Sequence, residues 1–180
     1  MRFRELRLRG AFLIELEPIE DDRGFFSRSF CAKEFEHHGL DPRVAQCNVS
    51  YNLRRGTLRG LHMQSAPHAE AKLVTCLAGA IYDVIIDMRP DSPSLHQWES
   101  LELRAGSWRS VYVPEGFAHG FQTLMDDSLV AYQMSNFFVP DAATGVRWDD
   151  PTLAIDWPLP EPIMSARDAG YPFIGSEGSS

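Results

Sequence analysis

Residues 73–88 read LVTCLAGAIYDVIIDM. Two runs rich in Val and Ile, Leu73 to Leu77 and Ala80 to Met88, are interrupted only by Ala78-Gly79. Such β-branched runs on either side of a turn-forming glycine predict two strands joined in a hairpin-like way. The same pattern recurs downstream. Trp98 to Leu103 and Trp108 to Val113 flank Arg104-Ala105-Gly106-Ser107, which reads as a second hairpin. Phe121 to Leu124 and Leu129 to Ser135 flank Met125-Asp126-Asp127-Ser128, which reads as a third. Short strands at near-regular spacing predict an all-β sandwich or jelly roll.

Upstream, Leu6 and Leu8, then Phe12, Ile14 and Leu16, alternate with polar residues at the period of half-buried strands, and Pro18 ends that run. Asp21-Asp22-Arg23-Gly24 reads as a turn into a strand over Phe25 to Phe30. Ala32 to His38 is the best short helix, with Gly39 suited to the position after its end. Val44 to Tyr51 alternates again. Downstream, residues from Pro140 onward are irregular and rich in Pro and Trp, which predicts a tail of about 140–180 that wraps back over a sheet. The terminal GSEGSS carries no fold information.

At 180 residues the chain fits one domain with a sizeable core. A net charge of −8 argues against a nucleic-acid-binding surface while leaving room for a local basic pocket. The three cysteines, Cys31, Cys47 and Cys76, show no CxxC spacing and fit reduced thiols in a cytoplasm. Charge alternates with apolar residues at the N-terminus, so neither a signal peptide nor a membrane span is expected.

The chemistry concentrates in TLRGLHMQSAPHAEAK (57–72), with a second polar cluster in PEGFAHGF (114–121). Three uses of these residues compete. A metal site is poorly served: position 64 is Gln, so His62 has no His-x-His partner, and only His68 and Glu70 could add ligands. Proton abstraction beside a carbonyl needs a base, a cation for the enolate oxygen and an acid. His62, Lys72 and Tyr132 can fill those roles, with an aspartate behind the histidine drawn from Asp83, Asp87, Asp149 or Asp168. Binding without chemistry is the third use, with Arg23, Arg59 and His119 clamping a diphosphate and Phe26 or Phe138 stacking on a base or sugar.

LRGLH (58–62), EAKLV (70–74), DVIIDMRPDSP (83–93), PEGFAHGF (114–121) and RWDDP (147–151) together resemble the dTDP-4-dehydrorhamnose 3,5-epimerase family. DDRGFF (21–26), QCN (46–48) and IMSARD (163–168) extend the resemblance over nearly the whole chain. It implies a cupin-type jelly roll needing no metal or other cofactor, and a homodimer exchanging N-terminal strands of about residues 1–18. It implies a nucleotide-diphospho-sugar substrate, a 4-keto-6-deoxyhexose epimerised at the carbons flanking the ketone. Carried over, His62 matches the general base, Asp168 its carboxylate, Lys72 the residue beside the C4 oxygen and Tyr132 the acid. Arg23, Arg59 and His119 match nucleotide-sugar contacts, and Gln46 and Asn48 fall in a matching polar segment. Of the four catalytic positions, only Asp168 is selected by the resemblance alone. Three places depart from the family: Arg28 stands where an acidic residue is usual, Phe138 where a tyrosine commonly stacks on thymine, and QMSN (133–136) where YKTT is usual. These alter the recognition set, leaving open the nucleotide and the choice between two epimerised centres and one. A ketoisomerase or a non-catalytic sugar-nucleotide-binding cupin remains the alternative.

Overall fold

A computed structural model describes residues 1–175; of the terminal GSEGSS only Gly175 lies within them. Its strands are β1 (Arg2–Glu5), β2 (Phe12–Glu15), β3 (Ile19–Asp21), β4 (Gly24–Phe26), β5 (Gln46–Asn52), β6 (Leu58–Gln64), β7 (Lys72–Ala78), β8 (Ala80–Asp87), β9 (Trp98–Arg104), β10 (Arg109–Val113), β11 (Phe117–Thr123), β12 (Ser128–Met134) and β13 (Ala143–Gly145). The helices are α1 (Ala32–His37) and the one-turn α2 (Ala166–Ala169). A six-stranded sheet runs β1-β2-β10-β7-β12-β5 and a five-stranded sheet β13-β6-β11-β8-β9, with β3-β4 as a separate hairpin. All named pairings are antiparallel. The all-β jelly roll expected from the strand pattern is the observed architecture.

The three expected hairpins are not hairpins. β7 and β8 belong to different sheets, as do β9 and β10, and β11 and β12. Each connection is therefore an arch from one sheet to the other. A glycine-bearing turn between apolar runs serves either purpose; what differs is whether the runs hydrogen-bond side by side or face each other through side chains. Here they face each other. Val74 and Cys76 of β7 meet Ile81 and Ile85 of β8 in one core with Leu103, Val111, Phe117, Phe121 and Val130. Burying such side chains is worth roughly 1.5–3 kcal/mol each. The hairpins that do form are β1–β2, β3–β4 and β8–β9.

The continuous apolar character of β8 has a direct cause: both of its faces are covered. Ile81 and Ile85 point between the sheets, while Val84 and Ile86 join Leu61, Ala118, Val146 and Leu153 on the outer face. That outer cluster is roofed by the C-terminal tail, fixed by Trp98 Nε1 donating to the Leu153 carbonyl at 2.8 Å and Trp157 Nε1 to the Trp148 carbonyl at 2.9 Å. Asp150 anchors the tail, accepting from the backbone N–H groups of Thr152 and Ile174.

Three local expectations change. Leu6 and Leu8 lie in the β1–β2 connection, yet both are buried in the core. The strand expected over Phe25 to Phe30 ends at Phe26. The last strand of the PEGFAHGF region begins at Phe117, so His119 sits within β11. β1 and β2 form the edge of the chain's own six-stranded sheet. Hairpin β3–β4 is exposed along its length, with Ile19 and Phe26 both more than 70% exposed, and Phe25 packs against the Trp108 ring at 4.5 Å between centroids.

Candidate active site

One end of the interior between the sheets is polar and open. A cavity of about 320 Å³ is lined from the five-stranded sheet by Arg59, His62 and His119, and from the six-stranded sheet by Asn48, Ser50, Lys72 and Tyr132. Strand alternation explains the mixture. On β11, His119 shares a face with the core residues Phe117 and Phe121, and on β7 Lys72 shares one with Val74 and Cys76. Polar residues thus end or interrupt otherwise core-facing rows.

Alternation alone would not bring both Arg59 and His62 to the cavity, since they are three residues apart. The pairing of β6 with β11 shifts between His119↔His62 and Phe121↔Arg59, so three residue steps on β6 oppose two on β11. This bulge restores both side chains to one side. It depends on close backbone contact: Gly60 has φ +139°, and a Cβ there would stand 2.6 Å from Gly120 Cα.

His62 Nε2 lies 2.9 Å from Asp168 Oδ1. Asp168 reaches it because the tail is stitched beside β6. Leu58 N donates to the Ile163 carbonyl and Ile163 N to the Gly56 carbonyl; two residues on, Ser165 caps α2 by accepting from Asp168 N. The second carboxylate oxygen accepts from Gly60 N at 3.3 Å. Burial pushes Asp168 up, but its hydrogen bond to His62, that ring's charge and the Gly60 and Ser165 contacts outweigh it, holding the carboxyl below its usual range. An ionised Asp168 accepts from Nε2–H, which leaves the lone pair on Nδ1. The Tyr171 ring meets the imidazole edge-on at 5.8 Å between centroids.

Lys72 and Glu70 form a buried pair, Nζ to Oε1 at 2.8 Å, and Nζ also lies 3.4 Å from the His62 carbonyl oxygen. Glu70, weighed as a metal ligand, is thus the counter-ion of Lys72. Among the described residues, no group of three His, Cys, Asp or Glu side chains is arranged to hold a metal ion. Asp83 partners His119, not His62, with Oδ2 2.7 Å from Nε2. Asp87 binds Arg89, Ser92 and Ser94, and Asp149 binds Arg147. Tyr132 Oη lies 3.1 Å from Ser50 Oγ. Burial pushes this phenol well up, the Ser50 hydrogen bond and Arg59 charge oppose that and Asp83 reinforces it, so Tyr132 carries its proton throughout the neutral range.

Of the remaining sequence candidates, Asn48, Arg59, His119 and Phe138 line the cavity, and Gln46 lines an adjoining recess shared with Asn48 and Phe138. Gln46 Oε1 accepts from Phe138 N at 3.0 Å. Arg23, Phe26 and Arg28 do not reach the cavity of their own chain. Arg23 pairs with Asp21 on the exposed hairpin, Phe26 is 73% exposed, and Arg28 pairs with Glu34 of α1 at 3.1 Å. Ser50 and Tyr171, absent from the sequence candidates, line it. For Ser50 a signal existed: Asn48, Ser50 and Asn52 alternate along β5 and share a face.

A double-sheeted barrel with a histidine–aspartate pair, a buried ammonium and a protonated tyrosine converging on one cavity defines a cupin-type jelly-roll enzyme of the isomerase class. The family model for dTDP-4-dehydrorhamnose 3,5-epimerase matches residues 5–175. The chain belongs to the dTDP-4-dehydrorhamnose 3,5-epimerase family. It is similar to a crystal structure of that enzyme from Bacillus anthracis with TDP and PPi bound, at 43% identity and TM-score 0.92, covering 96% of this chain and 98% of that one. The Sinorhizobium fredii dTDP-4-dehydrorhamnose 3,5-epimerase is 38% identical over 97% of this chain and 90% of its own length. A Streptomyces niveus relative named dTDP-4-dehydrorhamnose 3-epimerase is 40% identical over 93% of this chain and 81% of its own.

Proposed function

We propose that this enzyme epimerises a nucleotide-diphospho-4-keto-6-deoxyhexose at the carbons flanking its ketone. His62 Nδ1 takes the proton from C3 or C5, and the C–H electron pair moves onto the C4 oxygen as an enolate. The Lys72 ammonium stabilises that oxygen. Tyr132 gives its hydroxyl proton to the opposite face of the carbon and is left as phenolate. The cycle closes when His62 releases a proton and Tyr132 regains one. No redox group enters, because the oxidation state of the carbon skeleton is unchanged.

The observation that carries this reading is the position of His62 and Tyr132 on opposite sheets across one cavity, with Lys72 buried beside Glu70 in its lining. Opposed base and acid are what inversion requires, whereas a base alone would return the proton to the face it left. Removing one oriented donor to an oxyanion typically costs about 3–4 kcal/mol of barrier, and acid–base assistance contributes roughly 10²–10⁴-fold. Arg59 and His119 hold the diphosphate, Asn48 and Gln46 add polar contacts, and the Phe138 ring stacks on the nucleobase.

The active form is a homodimer in which hairpin β3–β4 reaches the partner's cavity mouth. That arrangement brings Arg23, Phe26 and Arg28 to a substrate their own chain does not offer them, and covers an exposed apolar ribbon. The enzyme works in the cytoplasm, where Cys31, Cys47 and Cys76 stay as the free thiols they are here. Among the described residues no helix is long and apolar enough to cross a membrane.

Incubation with the dTDP-linked 4-keto sugar in D₂O, followed by NMR, tests the reading. Deuterium at C3 and C5 supports it, deuterium at one carbon indicates a single-centre epimerase, and none indicates a binding protein. His62→Ala abolishes exchange in a folded protein; retained exchange removes His62 from the base role.

A further inference from the structure

The Tyr132 hydroxyl has a protein partner that the mechanism above does not use. Ser50 Oγ is 3.1 Å away, and either oxygen could be the donor on distance alone. The surroundings of Ser50 decide the direction. Arg59 Nε can only donate, and it lies 2.7 Å from Asn52 Oδ1, so that end of the amide is the acceptor. The other end, Nδ2, donates to the Ser128 carbonyl at 3.1 Å and faces Ser50 Oγ at 3.4 Å and the Ser50 carbonyl at 3.3 Å. Asn52 is 1% exposed, so this orientation is held without solvent. The Asn52 NH₂ has two hydrogens for these three acceptors; one goes to the Ser128 carbonyl, and the other, shared between the Ser50 carbonyl and Oγ, places Oγ as an acceptor that can give its own hydrogen to Tyr132.

We propose that Ser50 and Asn52 are positioning residues that polarise the Tyr132 hydroxyl, running a one-way chain of donors from Arg59 through Asn52 and Ser50 to the phenol oxygen. This rests on Tyr132 being the acid. With its lone pair occupied by Ser50 O–H, the phenol turns its own hydrogen into the cavity toward the carbon to be protonated. When that hydrogen leaves, the Ser50 donor remains to stabilise the phenolate. The chain begins at Arg59, so the residue assigned to the substrate's phosphates is joined by hydrogen bonds to the acid. Each link shifts electron density in the same sense, and such chains strengthen one another in a low-dielectric interior.

The test separates loss of the proton from its return. In D₂O, wild type and Ser50→Ala are followed for two rates on the same 4-keto sugar: deuterium wash-in, which needs only the base, and inversion of configuration, which also needs the acid. The expected result for Ser50→Ala is inversion slowed about 10–100-fold with wash-in retained within a few-fold, because only the return of the proton has lost its donor. Ser50→Thr, which keeps the hydroxyl, restores the wild-type ratio. Asn52→Asp reverses the polarity, since an acceptor-only carboxylate draws the Ser50 hydrogen away from Tyr132, and it reproduces the Ser50→Ala ratio. An unchanged ratio of inversion to wash-in in Ser50→Ala, or failure of Ser50→Thr to restore it, overturns the proposal; should Asn52→Asp not fold, that serine pair still decides. Absence of wash-in from wild type itself would instead overturn the epimerase reading, so the two failures are distinguishable.

Discussion

His62 and Asp168 stand 106 positions apart in the chain and 2.9 Å apart in space, Nε2 to Oδ1. The carboxylate is buried and held below its usual range, while the imidazole is 43% exposed at the cavity wall. One partner is therefore fixed and charged, and the other is accessible to substrate. Asp168→Asn keeps the shape but places an amide donor against Nε2, which moves the ring proton to Nδ1 and removes the basic lone pair. Wash-in of deuterium should fall roughly 10²–10⁴-fold with circular dichroism unchanged. Full activity in Asp168→Asn would show that the aspartate does not set the tautomer.

Lys72 and Glu70 make a second testable pair. Both are buried, and removing the ammonium strands a carboxylate whose other oxygen, Oε2, already has no hydrogen-bond partner. Lys72→Met should lower stability by about 3–5 kcal/mol in urea melts, and Lys72→Met/Glu70→Gln should recover most of it. Exchange activity should stay low in both, by about 10²–10³-fold. A stable Lys72→Met single variant would contradict the coupling.

Acid stability follows from the carboxylates. Burial pushes Asp87 up, but Arg89, Ser92 and Ser94 hold it far below its ordinary range, and Asp150 and Asp168 are lowered too. Carboxyls depressed in the folded state bind fewer protons there than when unfolded, so stability rises with pH through this region. Their contribution is complete above about pH 4–5 and is lost as pH falls through the folded values. Thermal melts between pH 2 and 6 should show this slope in wild type and a shallower one in Asp87→Asn. Equal slopes would remove Asp87 from the account.

Gly60 is where backbone geometry and site geometry meet. Gly60→Ala puts a methyl against Gly120 Cα at a φ that L-residues rarely adopt, and should cost about 2–4 kcal/mol. Because the bulge brings Arg59 and His62 to one cavity, activity at permissive temperature should fall as well. A Gly60→Ala protein with wild-type melting and exchange would show that the bulge is tolerant.

Arg23 lies outside the cavity of its own chain, so under the proposed dimer its effect reports assembly. Arg23→Ala should raise KM several-fold with kcat and melting temperature unchanged, in a species that light scattering shows to be dimeric. An unchanged KM would separate the hairpin from substrate binding.

The amino-acid order by itself determined the class of fold, because Val- and Ile-rich runs at short spacing have few other ways to bury themselves. It also determined His62, Lys72 and Tyr132 as candidates, since the chemistry of proton abstraction names those residue types. Asp168 came only from family resemblance, and Asp83 went to His119, because four aspartates distant in sequence look alike until the chain closes. The arches at 78–79, 104–107 and 125–128 were legible as turns but not as crossings. A turn's residues set its local backbone, whereas the choice between pairing in one sheet and facing across two belongs to the packing of Val74 and Ile81 around a shared core. Likewise Arg59 and His62 share a cavity only because a bulge, closed by the contact of Gly60 with Gly120, breaks the alternation of side chains along β6. Local propensity acts between neighbours in the chain; partnership across the barrel is set by close packing, and that exists only once the sheets have met.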